Sequence, residues 1–304
     1  MGVSLNMIGC KKYLKWMRLQ VLFPFLALLP MRWSYYFAAQ IGRYDAGKDA
    51  SRCALEQGLL KVYPNLGNDR KHLDRLVLRY FQMMAKDTLD CLLFPRFTAT
   101  TIGDLIHIVN LDVLTRARNA GKGVILIVGH FGRTFMLMPG LGLSDHEVGF
   151  LYTAVDEKNP SIDPTELKYL RTKLQNGRLF SNSTWVTTYD NPRKIYRALH
   201  SGEIFTIAFD GTETSSKLRL EFEFLGGTLS LPKSILRVAA KTGAKLVFAT
   251  AFDKEMGVEI ILQPLPDEPY AAMCEAVRLL EQDVITYPWQ WRLWSGIDML
   301  WHSR

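Results

Sequence analysis

The chain has 304 residues, of which 48% are hydrophobic, 22% charged and 12% aromatic, with a net charge of +7. That apolar fraction excludes a disordered, collagen-like or coiled-coil protein, and the length suits one large α/β domain or two small ones. Cys10, Cys53, Cys91 and Cys274 lie far apart without a CxxC pair, so neither a zinc knuckle nor a disulfide framework is expected, and a reducing compartment fits best.

The charge is unevenly placed. Between Met1 and Tyr44 stand Lys11, Lys12, Lys15, Arg18, Arg32 and Arg43 and no acid, so the rest of the chain is close to neutral. A basic segment confined to one end points to a membrane surface rather than to a nucleic-acid groove, and no nucleic-acid motif is present. The apolar run Leu19–Leu29 falls well short of the ~20 residues that span a bilayer, and Gln20 and Pro24 interrupt it. It ends in Leu-Leu-Pro-Met-Arg, without the small residues of a signal-peptide cleavage site. Two readings remain. One is an interfacial anchor, with Trp16, Phe23, Phe25 and Trp33 in the acyl boundary; the other is a helix docked on the protein's own core. The expected organisation is a basic, apolar membrane-associating segment over 1–44 and a single α/β domain over 45–304.

From Asp49 to Phe94 apolar residues recur at three- and four-residue intervals (Leu59, Leu60, Tyr63, then Leu73, Leu76, Val77, Tyr80, Phe81, Met84), which predicts two helices split by Pro64-Asn-Leu-Gly-Asn. Leu111–Asn119 reads as a further helix, ended by Gly121-Lys-Gly123. Val124-Ile-Leu-Ile-Val128 then forms a continuous β-branched and apolar run between glycines, the pattern of a strand covered on both faces. Val148–Tyr152 and Glu203–Phe209 read as strands, with helices over Pro164–Leu174 and Asn191–His200. A helix over Ser230–Thr242, strands over Lys245–Ala251 and Val258–Leu262, and a helix over Ala271–Val284 follow. Such alternation implies an α/β fold, with a mostly parallel or mixed sheet flanked by helices. The end of the chain, from Tyr287 to Trp301, holds four of its seven tryptophans, a composition suited either to an interface or to a core.

The candidate chemistry lies where the Val124–Val128 strand runs into Gly129-His130-Phe131-Gly132-Arg133-Thr134-Phe135. Functional side chains of open α/β sheets gather at the carboxyl ends of strands, and His130 occupies such an end. Asp210 follows the Ile204–Phe209 strand in the same way. If the two strands are neighbours, Asp210 can orient the His130 imidazole and balance its charge; otherwise it is an Asx-turn residue before Gly211. Other motifs fail. A dinucleotide site needs GxGxxG and a serine hydrolase GxSxG. Ala208-Phe-Asp-Gly-Thr212 resembles the phosphatase pattern DxDGT but lacks its nucleophilic aspartate. No metal-ligand spacing involves His130.

Taken together, these segments resemble the late lipid A acyltransferases of Gram-negative bacteria, the lauroyl and myristoyl transferases. The resemblance is carried in order by Leu28–Arg32 with Ile41–Tyr44, Val62–Leu66, Gly121–Gly132, Asn159-Pro160 with Arg171, Phe209-Asp210, Phe224–Gly226, Ala239–Ala244 and Pro288–Trp291. It implies transfer of a fatty acyl group from an acyl-carrier-protein or CoA thioester to a hydroxyl of a lipid A precursor, at the cytoplasmic face of the bacterial inner membrane. No cofactor beyond that thioester donor is implied. His130 would be the general base, with Asp210 and Arg171 as catalytic partners. Arg171, or backbone N–H groups after Gly132, would stabilise an oxyanion or hold a lipid phosphate. Gly132, Arg133, Glu213 and Gly226 would lie on the substrate side.

One departure stands out. The family pattern puts an acid five residues after the histidine, as in His-Phe-Gly-Asn-Trp-Glu, and here that position is Phe135. Three explanations follow: Asp210, or else Glu213, supplies the missing carboxylate; the substrate has changed, to an aminoacyl (glycyl) group carried as a thioester or to an amine acceptor; or catalysis is lost and the protein is a lipid-binding relative.

Overall fold

The computed structural model describes residues 12–160, 162–211 and 219–303. Among them, seven strands form one sheet in the order β1-β9-β8-β2-β5-β3-β4. These are β1 (Ile106–Val109), β2 (Val124–Gly132), β3 (Val148–Tyr152), β4 (Trp185–Thr187), β5 (Ile204–Ala208), β8 (Lys245–Asp253) and β9 (Val258–Pro264). All neighbours run parallel except β8 and β9. The expected mixed α/β sheet is therefore present.

The centre of the sheet explains the unbroken apolar run. Ile125 and Ile127 of β2 and Phe205 and Ile207 of β5 face one core, whereas Val124, Leu126, Val128 and Ile204 face the other. Both faces are dry, so each side chain of the period-two strand must be apolar. Helices α1 (Met31–Lys48), α2 (Arg52–Val62), α3 (Arg70–Leu93), α4 (Leu111–Asn119), α5 (Leu137–Gly142), α6 (Leu167–Gly177), α7 (Arg193–His200), α8 (Ser234–Thr242) and α9 (Pro269–Thr286) cover the sheet. α3 is long enough to serve both cores. Leu73, Leu76, Val77 and Phe81 enter the first, and Ala85, Leu89 and Leu93 the second.

A second, antiparallel sheet was not anticipated: β6 (Arg219–Phe224), β7 (Gly227–Pro232) and β10 (Trp301–Ser303), in the order β10-β7-β6. It corrects one expected helix. Ser230 lies in β7, whose side chains alternate between buried and half-buried, and the helix begins only at Ser234. Three-residue β4 and four-residue β1 were also unforeseen, because so few positions carry no readable period.

The N-terminal region is docked on the protein's own core. Residues 12–26 are helical, and a turn through Pro30 leads into α1, which continues past position 44. Phe23, Leu26 and Ala27 are buried beneath them, so Phe23 faces the protein rather than lipid. The opposite side exposes Trp16, Phe25, Trp33, Tyr36 and Phe37. Acids from elsewhere meet two of the cations: Lys15 pairs with Asp163 and Glu166 at 2.8 Å each, and Arg18 with Asp45 at 2.5 Å. Among the described residues, no helix is long and apolar enough to cross a membrane.

Candidate functional site

Strand order and register create the site. β2 and β5 pair in parallel with Val128 opposite Ala208, so the residues two positions further on, His130 and Asp210, emerge together at one edge of the sheet. His130 Nδ1 lies 2.7 Å from Asp210 Oδ1. The His130 backbone N–H also donates to both carboxylate oxygens at 2.9 Å, and the Trp291 indole N–H donates to Oδ2 at 3.1 Å. Asp210 is completely buried, whereas the His130 side chain is 40% exposed. An ionised carboxylate only accepts hydrogen bonds, so the short contact assigns the ring proton to Nδ1. The Nε2 lone pair is thereby left available to a substrate.

Trp291 is the partner that sequence reasoning missed. The turn Pro288–Gln290 delivers it, and Gln290 clips that turn to β8 by accepting from Asp253 N–H at 2.6 Å and donating to Asp253 O at 3.3 Å. Trp291 then pairs with Phe131 through the backbone, and Arg292 N–H donates to His130 O at 2.8 Å. The signal available in the sequence is the Pro288–Trp291 block, which carries part of the family resemblance.

The other expected site residues fare differently. Gly132 adopts φ +62°, and a Cβ there would meet Ala251 O at 2.0 Å, so its glycine is required by close packing against β8. The following Arg133 N–H is bonded to Ala251 O at 3.0 Å, which removes it as an oxyanion donor. Arg133 itself, expected on the substrate side, is fully buried. Its guanidinium lies 3.2 Å from both Asp90 and Asp253, donates to Met256 O at 2.9 Å, and sits over the Tyr35 ring. A side chain so enclosed has no face left for a ligand. Burial pushes the Asp90 carboxyl up to about 6 even though Arg133 opposes it.

Gly226 is likewise structural. It follows Leu225 (φ 50°) at φ +73° in the two-residue turn between β6 and β7, where both positions need positive φ. Arg171, 48% exposed on α6, pairs with Glu157 at 3.0 Å rather than with His130 or Asp210. It lines a cavity of ≈ 480 Å³ at the ends of β3 and β4, together with Tyr152, Arg178, Thr187 and Tyr189. Glu213 lies outside the described residues.

Phe135, at the position where an acid was expected, is also buried. Its ring stacks on Phe94 at 5.7 Å, meets Phe150 edge-on at 5.8 Å, and carries the Lys173 ammonium 4.7 Å above it. The side chain at position 135 therefore belongs to an aromatic cluster, and the carboxylate beside the imidazole is Asp210.

The comparison with protein families gives one result. The model of the bacterial lipid A biosynthesis acyltransferases matches residues 4–295. The chain belongs to that family. A comparison with curated proteins gives no significant match. Family membership makes the protein a transferase that acts on lipid A or a related glycolipid with an acyl donor. The match spans all of the blocks, from Leu28 to Trp291, that carry the resemblance.

Proposed function

We propose that this protein transfers an acyl group from a carrier-protein or CoA thioester to a hydroxyl of a lipid A precursor, with His130 as general base and Asp210 as its partner. The observation that carries this reading is the 2.7 Å contact between His130 Nδ1 and the buried Asp210 carboxylate at the joined ends of β2 and β5. Nε2 takes the proton as the hydroxyl oxygen attacks the thioester carbonyl, and Asp210 stabilises the imidazolium that results. When the tetrahedral intermediate collapses, the C–S bond breaks and the same proton passes to the leaving sulfur. Asp210 thus fills the place of the acid absent at position 135, and the presence of a complete pair argues against the non-catalytic reading. Arg171, with Arg178 on the same cavity, is assigned to a phosphate of the acceptor.

The purified protein tests this with a lipid A precursor and three donors offered separately: acyl-carrier thioester, acyl-CoA and glycyl-carrier thioester. A product heavier by a long acyl chain supports the proposal. A product heavier by a glycyl residue establishes the aminoacyl reading, and no product with any donor refutes both.

For location, we propose that the face of Trp16, Phe25, Trp33, Tyr36 and Phe37 rests in the interfacial layer of the bacterial inner membrane, on its cytoplasmic side. Aromatic side chains favour that layer, and the basic residues nearby suit anionic headgroups.

A further inference from the structure

Beside His130 lies an ion group that the proton transfer does not use. Asp87 of α3 is enclosed, with two cations on its two oxygens: Lys173 of α6 at 3.4 Å from Oδ2 and Arg292 at 3.3 Å from Oδ1. Burial pushes the Asp87 carboxyl up, but Arg292 and Lys173 outweigh it and hold the group below the usual carboxylate range. The carboxylate is therefore ionised, and the trio carries one positive charge in excess.

Among the described residues, the excess is not removed by other neighbours. Arg133 and Lys86 are matched in number by Asp90 and Asp253. A cation half-withdrawn from water without a full partner is costly, and a bound anion relieves that cost. The geometry is also loose. Among the described residues Asp87 Oδ1 accepts no hydrogen bond, and the Arg292 contact at 3.3 Å is an ion pair rather than a directed bond. Both cations remain partly exposed, at 18% for Lys173 and 23% for Arg292. Arg292 is also fixed relative to the reaction centre, since its N–H is bonded to His130 O and the preceding residue is bonded to Asp210.

We propose that Lys173 and Arg292 form a subsite for a phosphate ester next to His130, and that Asp87 holds the two cations together until the ligand arrives. This rests on the proposed acyl transfer only for the identity of the ligand. A planar fork and a point charge converging on one anion suit a phosphate group, which offers several acceptor oxygens. Both substrates carry phosphate: the lipid A precursor on its sugars, and the donor at the far end of the pantetheine arm. The site lies within one arginine side chain of the His130 backbone, whereas the donor phosphate stands a whole pantetheine arm from the reacting sulfur. The acceptor's phosphate therefore fits better.

Binding, rather than turnover, tests the proposal, so that its outcome does not depend on the catalytic reading. Dissociation constants are measured by calorimetry in detergent for lipid A and its dephosphorylated form, and separately for phosphopantetheine and pantetheine. Arg292→Gln should weaken binding of phosphorylated lipid A about tenfold and leave the dephosphorylated form unchanged, with Arg292→Lys in between. Asp87→Asn should tighten phosphate-dependent binding, a sign opposite to that of a merely structural ion pair. An effect confined to the pantetheine pair would assign the subsite to the donor. Unchanged phosphate dependence for both pairs in folded Arg292→Gln would overturn the proposal.

Discussion

Asp210→Asn is the sharpest perturbation of the site. The carboxylate collects the His130 backbone N–H, the His130 Nδ1 proton and the Trp291 indole N–H on its two buried oxygens. An asparagine has one accepting oxygen and one donating NH₂, so a donor must then face either the indole N–H or Nδ1. Facing the indole leaves a buried donor unmatched, at about 1–3 kcal/mol of stability. Facing Nδ1 selects the other tautomer, which places the proton on Nε2 and removes the base. Isosteric loss of an orienting acid lowers turnover by up to about 10⁴-fold, or about 5 kcal/mol of transition-state stabilisation. The assay is kcat with saturating acceptor and thioester, paired with urea unfolding of the same preparation. The change should fall on kcat, with KM little altered. Adding Phe135→Glu should not restore activity, because position 135 lies among Phe94, Phe150 and Lys173. Turnover within tenfold of the unaltered protein in folded Asp210→Asn, or rescue by glutamate at 135, would refute the reasoning.

Three further outcomes follow from the surrounding structure. Arg133→Met keeps side-chain volume but leaves Asp90 and Asp253 short of a counter-charge, so urea unfolding should show a loss of about 3–5 kcal/mol; a loss below 1 kcal/mol would contradict the buried placement. Burial pushes Asp283, which accepts from Thr250, up to about 6 from an ordinary 3.8. The native state therefore binds more protons than the unfolded state between those values, so stability falls as pH rises through about 4 to 6. Asp283→Asn should leave stability at pH 4 unchanged and raise it by about 1–3 kcal/mol at pH 7, and an equal effect at both pH values would rule this out. At the N-terminus, Trp33→Ser with Phe37→Ser should lower partitioning onto anionic vesicles several-fold in a sedimentation assay, and unchanged partitioning would remove the proposed docking face.

How legible the fold was depended on how local each signal is. Val124–Val128 announced a doubly covered strand because every position is apolar, and the glycines around His130 marked where it ends. Asp210 was equally visible at the end of its own strand. Only the pairing of β2 with β5, a long-range property, turned two strand ends into one site. Arg133 misled for the complementary reason. An arginine three residues from the histidine looks like a ligand contact until α3 and the end of β8 deliver Asp90 and Asp253 to it. Trp291 and Arg292 stand some eighty residues further along the chain than Asp210, and no periodicity links them to it. The small second sheet stayed hidden because its strands are short and Ser230–Pro232 leads directly into a helix, which blurs the change of period.

The central claim is tested most directly by the mass of lipid A from cells of a strain lacking its own late acyltransferases, supplied with this protein or with His130→Ala at equal abundance. The account predicts that the unaltered protein adds a long acyl chain to the lipid A of these cells and that the alanine variant adds nothing. The same acyl addition by both proteins would show that the imidazole at the end of β2 is not the base.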